Sequence, residues 1–175
     1  MIDGQKYFIT NEENRKIFRK LNNRTSSGMD QIPNIALKQL PCKAITQYTR
    51  IFNNCYNNLH YPDRWTIARV IPIPNKDKDL TDPASFRPLS LLLNVSKVFK
   101  CHNNNIINST CKKNNIIPHN QFGFQGQLST IHAIAKLLSD LNTELSDNNM
   151  VAACLIDLEK AFDSVWIKGL IFKLS

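Results

Sequence analysis

At 175 residues, 42% of them hydrophobic, the chain is long enough for one core, either a whole domain or part of one. A formal net charge of +8 favours an acidic partner, nucleic acid foremost, because Lys and Arg gathered on one surface release counterions from a phosphate backbone. There is no run of about 18 apolar residues and no cationic start followed by an apolar stretch, so a helical membrane span and a secretory signal are not expected and the protein is expected inside the cell, in nucleus or cytoplasm.

The five cysteines (Cys42, Cys55, Cys101, Cys111, Cys154) are odd in number and lack a Cys-x-x-Cys pair, which argues against a disulfide framework or a zinc knuckle. They read as reduced, mostly buried thiols. The irregular spacing of Cys101, His102, Cys111 and His119 likewise favours packing over a metal site.

Thr10 and Glu13 have capping-box spacing, and Ile17, Phe18 and Leu21 recur at helical intervals, which predicts a helix over residues 11–22. A turn-rich stretch follows from Asn22 to Asp30. Pro33 opens a short helix anchored by Ile35, Leu37 and Leu40, and Pro41 starts a longer one over 42–58 with Ile45, Tyr48, Ile51, Phe52 and Cys55 on its apolar side. From Ala68 to Pro74 the β-branched residues predict a strand that the prolines confine to an edge.

A charged hairpin-like loop spans Asn75 to Ala84, an extended segment returns over Phe86–Leu93, and residues 94–113 read as a helix weakened by its asparagine run. Gln121-Phe122-Gly123-Phe124 is irregular. A helix over 129–146 carries Ile131, Ile134, Leu137, Leu138 and Leu141 on one side, and after the turn at Asp147–Asn149 the apolar run Met150–Leu158 predicts a strand buried on both faces. A last helix is expected from about Lys160. Helices mixed with scattered strands make the fold class α/β or α+β.

A carboxylate near the end of an apolar strand costs several kcal/mol unless hydrogen bonds or a cation compensate it, so Asp157 requires a partner. Two explanations stand at this level. Asp157 caps the following helix, or it binds a divalent metal for phosphoryl transfer, since Mg²⁺ prefers carboxylate oxygens. An Asp-x-Asp phosphohydrolase site is disfavoured because its second acidic position is Glu159.

The segment Leu155-Ile156-Asp157-Leu158-Glu159-Lys160-Ala161-Phe162-Asp163-Ser164-Val165 resembles the first palm motif of non-LTR (LINE-type) retrotransposon reverse transcriptases. Four further blocks resemble that family in the same order: Ser27-Gly28-Met29-Asp30-Gln31-Ile32-Pro33, Trp65 to Pro74, Phe86-Arg87-Pro88-Leu89-Ser90-Leu91-Leu92, and Gln121-Phe122-Gly123-Phe124 with Ser129-Thr130. Five blocks in order are far more specific than any one.

The resemblance implies a partial right-hand polymerase fold. Residues 1–60 would be a helical N-terminal extension, 61–149 the fingers and 150–175 the start of the palm. It implies an RNA-directed DNA polymerase with RNA template, DNA primer and deoxynucleotide triphosphates as partners and two Mg²⁺ ions in the complete enzyme.

Asp157 would be the first catalytic metal ligand, and the backbone carbonyl of Leu158 would touch the nucleotide-bound metal. Phe162 would be the steric gate against a ribose 2′-OH, or else a core phenylalanine. Arg87 would hold the triphosphate, or else an ion pair. Gln121, Phe122 and Gly123 would line the nucleotide or template pocket, and Lys76, with Lys78, would contact phosphate, or else belong to a solvated charge run. Asp163 is expected to be structural.

Three positions depart from the family pattern: Asn75 stands where a lysine is usual, Gln125 where an arginine is, and Lys100 where an acid is. Ser175 falls before the point where the family has the Asp-Asp pair that completes the metal site and the thumb, so the chain alone is expected to be inactive. The alternative function is a noncatalytic nucleic-acid-binding remnant of a decayed element.

Overall fold

The computed structural model describes residues 7–74, 79, 81–158, 161–162 and 164–174. It divides into two compact units, Ile2–Lys113 and Asn114–Ser175.

In the first unit, α1 (Asn11–Lys20) starts at the anticipated capping box: Thr10 Oγ1 accepts from the Glu13 N–H at 3.2 Å, and the Glu13 carboxylate accepts from the Thr10 N–H at 2.9 Å. These two bonds satisfy donors that the first helical turn cannot, and the Thr10 N–H, helped by the Thr10 hydroxyl, holds the Glu13 carboxyl below its ordinary pKa by donating to it. Helix α2 (Asn34–Lys38) is a single turn with Pro33 as its N-cap, and α3 (Cys42–Asn57) follows Pro41. Helix α4 (Asn94–Lys113) keeps the predicted limits despite its asparagines, because its first half is packed: Val95, Val98, Phe99 and His102 are buried.

The core lies where α1 meets α3 and α4. Phe52 is its hub, fully buried, with ring centroids of Phe99 at 5.4 Å, Trp65 at 5.7 Å, His102 at 6.0 Å and Tyr48 at 6.2 Å. Ile9, Phe18, Leu37 and Ile45 close around it. A polar chain threads this core. Asn14 donates from Nδ2 to Thr49 Oγ1 at 2.9 Å, Thr49 donates to the Ile45 carbonyl at 2.9 Å, and His102 Nε2 lies 3.2 Å from Asn14 Oδ1. Every member is paired, as burial demands. Ile51, expected on the apolar side of α3, is exposed instead.

Strands β1 (Arg69–Pro74) and β2 (Phe86–Leu91) form a two-stranded antiparallel ribbon. Pro72 faces Pro88 and Pro74 faces Phe86. These are alternate pairs of the ladder, so all three missing N–H groups fall on positions that need no cross-strand bond. Of the anticipated loop from Asn75 to Ala84, residues 75–78 and 80 lie outside the described residues, and its end enters a short 3-10 turn at Pro83–Ser85.

In the second unit, α5 (Thr130–Ser146) begins at Ser129, whose N–H donates to His132 Nδ1 at 3.1 Å. Its apolar side stands exposed at Ile131, Ile134, Leu137 and Leu138. Met150–Leu158 does not form the predicted strand: it has no regular secondary structure, and every residue in it is exposed. A strand buried on both faces needs neighbouring strands to take its N–H and C=O groups, and none is bonded to this segment among the described residues.

The last helix, α6 (Ile167–Leu174), begins later than anticipated from Lys160, which lies outside the described residues. The cysteines are free, but only Cys55 is buried. Cys101 and Cys111 are half-buried and Cys42 and Cys154 exposed, which corrects the expectation of mostly buried thiols. The whole is a mixed helical and antiparallel-strand structure. No helix of the described residues is long and apolar enough to cross a membrane.

Candidate nucleotidyl-transfer site

In the first unit the structure joins two of the sequence blocks. Gly28 packs so closely on the backbone of Leu92 and Leu93 that an added Cβ would lie 2.7 Å from the Leu93 nitrogen and 2.8 Å from the Leu92 carbonyl carbon. Asn94 Nδ2 donates to the Ile32 carbonyl at 2.8 Å, and Lys97 Nζ donates to the Ser26 carbonyl at 3.2 Å and to Asn94 Oδ1 at 2.9 Å. Burial lowers the pKa of the Lys97 ammonium, with Asp30 opposing that in part.

The Ser27–Pro33 loop is thus tied to the end of β2 and the start of α4. Buried Leu91 anchors β2 at that end. Arg87 lies near its other end, opposite Ile73, with its guanidinium side chain exposed and no carboxylate partner among the described residues. An unpaired, permanently charged fork on a rigid strand is suited to bidentate phosphate binding. Lys76, Lys78 and Asn75 lie outside the described residues.

In the second unit, Gln121 Nε2 donates to the Gly123 carbonyl at 3.1 Å, which closes a tight turn, and Phe122 is half-buried. Phe124 follows with φ 59°, a left-handed conformation that an aromatic residue adopts only at a cost of about 1–3 kcal/mol. Its ring meets Phe162 edge to face, with centroids 6.1 Å apart. Phe162 is 81% exposed, so it is no core phenylalanine. Phe124 was not among the predicted site residues, although it sits in the quoted Gln121–Phe124 block; an aromatic directly after a glycine turn is the signal that could have found it.

Asp157 is exposed, in a segment without regular secondary structure, with Leu158 beside it. It is not a helix cap, since the next described helix begins at Ile167. Glu159, Lys160 and Asp163 lie outside the described residues. The donors here, one carboxylate and a backbone carbonyl, are the hard oxygens Mg²⁺ prefers, but two six-coordinate ions need more. No group of three His, Cys, Asp or Glu comes together among the described residues. The donor set is of the right kind and incomplete in number.

Comparison with known proteins bears on this arrangement. Residues 73–175 match the family described as reverse transcriptase (RNA-dependent DNA polymerase). A probable RNA-directed DNA polymerase from transposon BS of Drosophila melanogaster is 32% identical over 93% of this chain and 18% of its own length. One from transposon X-element of the same species is 33% identical over 90% of this chain and 17% of its own length. The RNA-directed DNA polymerase from mobile element jockey of the same species is 30% identical over 94% of this chain and 18% of its own length. The chain therefore spans under a fifth of the length of these relatives.

Proposed function

Because this chain belongs to the reverse transcriptase family, as a segment of the LINE-type, non-LTR retrotransposon branch, we propose that it forms the fingers and opens the palm of an RNA-directed DNA polymerase. In this reading the complete protein copies an RNA template onto a DNA primer from deoxynucleotide triphosphates, within a right-hand polymerase fold. Residues 1–60 make the helical extension, 61–149 the fingers and 150–175 the first part of the palm.

The observation that carries the reading is the extent of the family match. It runs continuously through Arg87, Gln121–Gly123, Asp157 and Phe162. Asp157 and the Leu158 carbonyl supply oxygens for Mg²⁺, and bound Mg²⁺ would stabilise charge on the transferring phosphoryl group. Arg87 binds the triphosphate of the incoming nucleotide, and Lys76 assists from the loop between β1 and β2. Phe162, braced by the Phe124 ring, crowds the sugar 2′ position, and the Gln121–Gly123 turn lines the pocket.

One carboxylate does not make the two-ion centre, so the isolated chain is expected to bind substrates without joining them. The test has two arms. Purified alone, the chain is expected to give no primer extension. Substituted for the matching segment of the jockey polymerase, it is expected to support Mg²⁺-dependent synthesis on an RNA template that Asp157→Asn abolishes. Synthesis by the chain alone that survives Asp157→Asn, or an inactive chimera that Asn75→Lys and Gln125→Arg together do not rescue, refutes the proposal.

A further inference from the structure

A groove of about 470 Å³ lies on the first unit between the segment preceding α1 and the outer face of α3, away from every block named above. That volume falls within the ~300–1,000 Å³ typical of ligand sites. Its walls include Phe8 and Asn11 on one side and Thr46, Arg50, Asn54 and Asn57 on the other.

The segment entering α1 is held firmly. Ile9 is fully buried, and the Asn53 side chain bonds it as a neighbouring strand would: the Ile9 N–H donates to Asn53 Oδ1 at 2.8 Å, and Asn53 Nδ2 donates to the Ile9 carbonyl at 2.9 Å. Tyr7 packs edge-on against Tyr56, centroids 5.6 Å apart. Tyr7 and Ile9 are engaged with the protein on either side, and Phe8 between them lines the groove. It is 67% exposed.

A large aromatic ring fixed in water by its two neighbours is a surface for stacking. Arg50 supplies a permanent cation that no carboxylate neutralises among the described residues. Asn11, Asn54 and Asn57 have no side-chain hydrogen-bond partner among the described residues. Each offers both a donor and an acceptor, the pattern that base edges present once unpaired.

We propose that this groove is a binding site for single-stranded nucleic acid, in which one base stacks on Phe8, Arg50 takes an adjoining phosphate and the asparagine amides meet the base edge. A duplex cannot use it, because its bases present no free face. The site owes nothing to Asp157 and stands or falls separately from the polymerase reading.

The test is fluorescence anisotropy on the whole chain with a short labelled single-stranded oligonucleotide, RNA and DNA alike. Phe8→Ser is expected to weaken binding at least about fivefold, the low end for loss of one stacked base, and Phe8→Trp to preserve it. Arg50→Gln is expected to weaken binding and to lower the slope of log affinity against log salt by about 0.7, one phosphate contact on a single strand. Lys168→Gln, which removes the same charge from α6, should do neither.

Should Phe8→Ser not fold, Asn57→Glu on the exposed face of α3 replaces it and is expected to weaken binding by repelling phosphate. Unchanged affinity in Phe8→Ser or Asn57→Glu, an unchanged salt slope in Arg50→Gln, or an equal loss in Lys168→Gln overturns the proposal.

Discussion

Replacing Asn53 by alanine removes both hydrogen bonds that hold the Ile9 backbone. If the segment stayed in place, a buried N–H and a buried carbonyl would each go unpaired, at about 1–3 kcal/mol apiece, or roughly 2–6 kcal/mol together. The chain has a cheaper escape. Residues 7–10 can lift off and hydrate, which forfeits burial of the Ile9 side chain, about 1.5–3 kcal/mol, and strains the Thr10 cap, worth about 1 kcal/mol.

Detachment therefore sets the ceiling, and Asn53→Ala is expected to cost about 2–4 kcal/mol. Urea unfolding followed by circular dichroism gives that number. A cycle with Ile9→Ala tests the cause, because once the segment has lifted the second substitution adds little. The expected coupling exceeds about 1 kcal/mol. Strictly additive effects, or a loss below about 0.5 kcal/mol for Asn53→Ala alone, would refute the claim that this amide secures the segment.

Three other outcomes are expected. Burial lowers the His102 pKa below its ordinary 6.5, with Glu13 partly opposing, so the native state holds a neutral ring while the unfolded chain takes up a proton. Stability from this group is full above about pH 6.5 and declines as pH falls through the lower native pKa; urea midpoints at neutral and mildly acidic pH should show the decline, and His102→Gln should flatten it. Gly28→Ala forces a methyl against the backbone of Leu92 and Leu93 and is expected to destabilise by about 1–3 kcal/mol, read as a lowered melting temperature. Asp157→Asn, at an exposed site, should shift the stability of this chain by less than about 0.5 kcal/mol, so that any loss of synthesis in the chimera reflects chemistry rather than folding.

The sequence was most legible where local signals decide the structure. Thr10 with Glu13 located the start of α1, and the prolines two apart at 72 and 74 announced a strand that could only be an edge. The limits of α4 were legible too, its poor intrinsic propensity being overridden by the packing of Val95, Val98 and Phe99.

Legibility failed at Met150–Leu158, where apolar content signalled a buried strand. Burial is a property of neighbours, and the run has none bonded to it among the described residues. For the same reason the apolar stripe of α5 was read correctly as a helix face, while its exposure was invisible. Asn53 carried no sequence signal at all, since nothing distinguishes it from the neighbouring Asn54, Asn57 and Asn58 as the asparagine that reaches 44 positions back to Ile9. The site blocks were recognisable by order, but no residue spacing could foretell that Phe124 would adopt a left-handed backbone and meet Phe162.

The bare stretch from Val151 to Ile156 also governs how the protein behaves in a test tube. Six residues in a row carry no charge, no proline and no glycine, and they are exposed and outside any regular element. Such a segment pairs with its own copy in another molecule, and the growing stack has no natural end. Aggregation that grows with protein concentration is therefore expected during expression, and a lysine placed at Cys154 is expected to raise the soluble fraction.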